Sequence, residues 1–75
     1  MIFDHSKLIG KIKELYPNRK EFVALIPLSS TAFSNKINNK TRFVTNEIYK
    51  IVEILGIDAK DIDTYFFTIK VEKVQ

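Results

Sequence analysis

Apolar residues recur at helical spacing along most of the chain. Leu8, Ile9, Ile12, Leu15 and Tyr16 fall three and four residues apart and form one stripe, with Lys7, Lys11, Lys13 and Glu14 off it. With Ser6 as N-cap and Pro17 as stop, the spacing predicts a first helix over about residues 7–15. Asn18 can cap a second helix that turns Phe22, Val23 and Ile26 inward, carries Arg19, Lys20 and Glu21 in its first turn, and ends at Pro27. Ser29 opens a third helix, with Ala32, Phe33 and Ile37 facing in and Ser30, Thr31, Ser34, Asn35 and Lys36 facing out. Residues 38–42, Asn-Asn-Lys-Thr-Arg, read as a polar loop, because Asn favours turns and tolerates positive φ. A fourth helix follows from a Thr45 cap, with Ile48, Ile51, Val52 and Leu55 as its stripe and Gly56 as its stop. Asp58 caps a last short helix through about residue 66, with Asp61 in its first turn where negative charge suits the helix dipole. Residues 68–74 then alternate Ile69 and Val71 with Lys70 and Glu72, the pattern of a strand.

The expected architecture is therefore all-α: five short helices in one domain over residues 1–67, and an extended tail over residues 68–75 that is a candidate dimerisation strand. The chain has 75 residues and 45% hydrophobic content, enough for one core of marginal stability and no second lobe. The absence of cysteine excludes a disulfide scaffold, thiolate metal sites and cysteine nucleophiles, and fits a reducing cytoplasm. No apolar run approaches the roughly 20 residues that cross a bilayer, and the N-terminus lacks a signal-peptide pattern. Neither a membrane-spanning nor an exported protein is expected.

Net charge is +3, unevenly distributed. Residues 1–43 hold eight Lys and Arg against Asp4, Glu14 and Glu21, or +5, whereas residues 44–75 hold four Lys against six acids, or −2. No acidic residue lies between Glu21 and Glu47, so that stretch favours a polyanionic partner. An enzyme is not expected. His5 stands alone, next to a helix cap, and reads as a surface residue. Asp58, Asp61 and Asp63 lack the glycine and terminal glutamate of a calcium loop and read as helix-end charges. Gly10 and Gly56 sit in different elements and cannot build a phosphate loop, so no metal or cofactor is expected.

Residues 18–42 answer to different chemistry. Two short helices joined by a tight turn, the second exposing short polar side chains in an acid-free stretch, match what a DNA major groove admits. Ser30, Thr31, Ser34 and Asn35 are small enough for close approach and polar enough to bond base edges. The segment "RKEFVALIPLSSTAFSNKINNK", residues 19–40, resembles the helix-turn-helix of the phage repressor and Cro family. Its frame, "FDHSKLIGKIKELY" before and "EIYKIVEILGIDAKDIDTYFFTIKV" after, is similar to small Cro-like regulators of phages and prophages of low-GC Gram-positive bacteria.

The resemblance implies a sequence-specific transcriptional regulator in the bacterial cytoplasm, bound to double-stranded operator DNA as a homodimer. It implies base reading by Ser30, Thr31 and Asn35, with Ser34 and Lys36 beside them. Asn35 would pair bidentately with adenine, and Lys36 would reach a guanine or a phosphate. It implies phosphate contacts from Arg19, Lys20 and Ser29, and from Asn38, Asn39, Lys40 and Arg42 in the following loop. Two positions depart from the family pattern. Pro27 stands near a turn that usually holds a glycine at positive φ, and Val23 stands where alanine is usual. Either the second helix ends early, at about residue 25, and the turn lengthens, or the angle between the two helices changes. The alternative function is a protein-interaction module of the same fold, acting as anti-repressor or co-regulator on a phage repressor. An antitoxin that binds both DNA and a toxin is a third reading.

Overall fold

The computed structural model describes residues 2–71, and these contain five α-helices: α1 (Ser6–Leu15), α2 (Arg19–Val23), α3 (Ser30–Ile37), α4 (Thr45–Leu55) and α5 (Ile62–Phe66). A 3-10 turn, Ala59–Asp61, leads into α5. The fold is all-α, as the hydrophobic periodicity requires. Residues 72–74 of the expected strand lie outside the described residues, and the remainder forms a single antiparallel bridge, Phe3 to Ile69.

Helix α1 is central and packs against α2, α4 and α5, while α2 packs against α3. Its stripe buries Leu8 and Ile12, but Leu15 is left about half exposed at the helix end, contrary to its expected inward position. Phe22, Phe33, Phe66, Leu8 and Ile51 are the largest fully buried side chains. A run of tilted and edge-to-face aromatic pairs threads this core from Tyr16 to Phe22 (5.6 Å), Phe33 (5.8 Å), Phe43 (6.0 Å) and Phe66 (5.3 Å). Such pairs contribute about 0.5–1.5 kcal/mol each beyond their area. The run joins α2, α3 and α5 through Phe43, a residue of the loop before α4.

Several ends differ from the sequence expectation by one residue, because a different side chain reaches the free backbone groups. Ser6 is the first residue of α1 and not its cap; the Asp4 carboxylate accepts from the Ser6 amide (2.9 Å) and from the Ser6 hydroxyl. Thr45 is likewise inside α4. The N-cap is Val44, whose side chain can accept nothing, and its own N–H donates to Glu47 Oε1 at 2.9 Å. Asp58 precedes the 3-10 turn and makes no side-chain cap bond. Asn18 and Ser29 do cap as expected, accepting from Lys20 N–H (2.9 Å) and Ala32 N–H (3.1 Å). Gly56 ends α4 at φ 67.

Pro27 has the effect of the first alternative. Helix α2 ends at Val23, two residues earlier than expected, and the chain continues through i→i−3 bonds from Leu25 to Phe22 (2.9 Å) and Ile26 to Val23 (3.2 Å). Positive φ occurs only at Asn39 and Gly56 among the described residues, so this turn needs none. Ile26 and Val23 are buried, which places both in the core instead of at the helix crossing alone.

Candidate nucleic-acid interface

Helix α3 is anchored by Phe33 and Ile37, both buried. At 100° per residue, Thr31, Asn35 and Asn38 project from the opposite side, with Ser34 beside them. Asn38 Nδ2 donates to Ser34 Oγ at 3.4 Å, which fits their shared side of the helix end. Ser30 and Thr31 are exposed in the first turn, and Ser34 and Asn35 are half-buried. The Asn35 side chain makes no hydrogen bond among the described residues, so its amide edge is available. Ser29 Oγ is used as an acceptor by the cap, yet its hydroxyl proton can still be donated outward.

Flanking charge comes from α2 and the loop after α3. Arg19 and Lys20 open α2 and are exposed, and the Arg19 guanidinium lies 5.8 Å from the centre of the Phe33 ring, which ties it to α3. After α3 the backbone closes in a Schellman motif: Asn39 at φ 65 donates its N–H to Lys36 (3.2 Å), and Lys40 donates to Asn35 (2.8 Å). Asn38, Lys40 and Thr41 are exposed on this loop.

Two of the residues expected to contact DNA, Lys36 and Asn39, make bonds within the fold. Lys36 Nζ is held by Glu47 Oε1 at 3.1 Å and donates to the Arg42 carbonyl at 2.8 Å, with its side chain only 12% exposed. Its charge is neutralised, and reaching a base would break both bonds. Asn39 engages both ends of its amide internally: Oδ1 accepts from Phe3 N–H (2.9 Å) and Arg42 Nη1 (2.9 Å), and Nδ2 donates one N–H to Phe3 C=O (2.9 Å). Arg42 remains exposed but is stacked on Phe3, 5.2 Å from the ring centre. The expectation for His5 is also corrected. It is 5% exposed, edge-on to Phe43 at 5.5 Å, with Nδ1 2.9 Å from the Ile37 carbonyl. Its burial follows from the convergence of the N-terminal segment on the end of α3, which no local pattern announces.

Asp4 has its carboxyl held below the ordinary 3.8, first by the Ser6 hydroxyl and then by the Ser6 amide. Among the described residues, no three His, Asp or Glu side chains gather to hold a metal. No helix among them is long and apolar enough to cross a membrane.

An all-helical domain with a polar, acid-free helix face is what the fold and this face define. The chain belongs to the family described as protein of unknown function (DUF739), whose model matches residues 1–69. The match includes both partners of the Phe3 to Ile69 bridge. No curated protein matches the chain.

Proposed function

We propose that the protein is a sequence-specific DNA-binding transcriptional regulator of the phage or prophage Cro and repressor type, acting in the cytoplasm by inserting α3 into the major groove of an operator. The observation that carries this reading is the outward side of α3. Thr31, Asn35 and Asn38 stand opposite the buried Phe33 and Ile37, in a stretch with no acid between residues 21 and 47. Base reading falls to Ser30, Thr31, Ser34 and Asn35, and backbone contact to Arg19, Lys20, Ser29, Asn38, Lys40 and Arg42. The Asn35 amide, unbonded among the described residues, has the groups for a bidentate pair with adenine.

A reader this small gains its second half-site from a second copy, with half-sites about one helical turn apart. The tail supplies a candidate surface. Asp4 N–H bonds Thr68 C=O (2.7 Å) and Lys70 N–H bonds Ile2 C=O (2.8 Å), so the backbone groups of Ile69 between them point the other way, along an edge that no strand among the described residues pairs. Pairing of two such edges across a two-fold axis is self-complementary.

Selection from random duplexes at about 150 mM salt, followed by footprinting, tests the reading. A two-fold symmetric consensus is the expected result, and absence of enrichment would sink it. In the selected site, Asn35→Ala should cost about 1–3 kcal/mol and relax one base position.

The second reading, a module that binds a repressor protein, draws on the apolar cleft between Thr45, Ile48, Tyr49, Ile62 and Phe67. Tyr49 and Phe67 there are exposed, as a protein contact would require. Such a module would bind its partner with little salt dependence and would enrich no duplex.

A further inference from the structure

Residues 2–5 form a strap bonded on both sides. On one side Phe3 exchanges two bonds with a side chain: its N–H donates to Asn39 Oδ1 and its C=O accepts from Asn39 Nδ2, both at 2.9 Å. This is the pattern of a paired strand residue, with the Asn39 amide in place of a peptide group. On the other side Asp4 and Ile2 bond Thr68 and Lys70 at 2.7 and 2.8 Å, around the Phe3 to Ile69 bridge. A further anchor is His5, whose Nδ1 meets the carbonyl of Ile37, the last residue of α3. That carbonyl only accepts, so Nδ1 carries the proton.

The Asn39 side chain also orders the loop on which backbone contacts depend. Its Oδ1 accepts from Arg42 Nη1 at 2.9 Å, while the Arg42 guanidinium covers the Phe3 ring that Asn39 holds in place. Loosening the tail frees Ile2 and Asp4, and with them Phe3, which is a partner of Asn39 and the platform of Arg42.

We propose that Asn39 is a positioning residue and not a DNA ligand: through residues 2–5 it couples the conformation of residues 38–42 to the pairing of the tail at Ile69. Its consequence for operator affinity rests on the DNA-binding reading above, whereas the coupling is a property of the free protein. Because coupling between two sites is reciprocal, a second copy that stabilises the Ile69 edge favours the ordered loop. DNA that holds the loop favours the paired edge in return.

Amide exchange in the free protein, read as rates relative to the Ile51 amide in the core of α4, tests the coupling without DNA. Asn39→Gly keeps the positive φ and removes the amide. It should speed exchange at Phe3, and also at Asp4 and Lys70 on the far side of the strap, by roughly three- to tenfold, the scale of one net hydrogen bond. Deleting residues 68–75 should speed exchange at Phe3 although Asn39 is intact. If either change acts only on its own side of the strap, the coupling is overturned.

On a selected operator, Asn39→Gly should weaken binding in the full chain and add little in a variant lacking residues 1–3, where the strap partner is already gone. An undiminished effect in that variant would show that Asn39 does not act through residues 2–5 and overturn the proposed coupling. Should no operator be selected, the DNA reading fails while the exchange result stands or falls alone.

Discussion

Lysine on a candidate reading helix can serve the nucleic acid or the fold, and geometry decides for Lys36. Glu47 Oε1 lies 3.1 Å from its Nζ and also accepts the Val44 N–H, so one carboxylate pins the end of the interhelical loop to the start of α4. Lys36→Met is expected to lower stability by about 1–2 kcal/mol, since it strips a charged hydrogen bond from a mostly buried site. Urea unfolding measures this. The salt dependence of DNA binding should stay unchanged in that variant, whereas Lys40→Ala should reduce the salt slope by about one.

Asp4 illustrates the same scale through protonation. The Ser6 hydroxyl and amide hold its folded-state carboxyl below 3.8, so the unfolded chain binds the proton more readily. The stabilisation is present above the unfolded value and is lost as pH falls through the folded one. Asp4→Asn should therefore flatten the acid limb of a plot of melting temperature against pH below about pH 4. A limb as steep as in the wild type would exclude Asp4 as its source.

Among the elements, the α2 to α3 turn shows how a sequence departure is absorbed. Pro27 offers no N–H and a fixed φ, so the bonds from Leu25 and Ile26 tighten to i→i−3 before it and the chain needs no glycine. Periodicity could not choose between an early helix end and a changed crossing angle, since both keep Phe22 and Ile26 inward. Gly56 is the opposite case. Its φ of 67 is dictated by the end of α4, and Gly56→Ala should cost about 1 kcal/mol in thermal or chemical unfolding.

Over the whole molecule the margin is narrow. A chain of 75 residues has about 4–11 kcal/mol of total stability at 0.05–0.15 kcal/mol per residue. Phe33 is fully buried and carries α3, and Phe33→Ala costs about 3–5 kcal/mol. That variant should be largely unfolded or melt far below the wild type by circular dichroism. The Asn35 side chain makes no hydrogen bond among the described residues and is not part of the buried core, so Asn35→Ala should leave the melt within about 0.5 kcal/mol of the wild type.

The sequence by itself determined the helices, their inward stripes, the caps at Asn18, Ser29 and Gly56, and the acid-free polar side of α3. Those features are local: side chains three and four residues apart share a helix side, and a capping oxygen reaches an amide two or three residues on. Only the tertiary structure decided that Lys36, Asn39 and His5 belong to the fold. Each finds its partner by chain return, Lys36 across the loop to Glu47, Asn39 at Phe3, and His5 at Ile37. Contacts across 11 to 36 positions arise when packed helices bring distant backbone together, and residue type in one segment carries no mark of them.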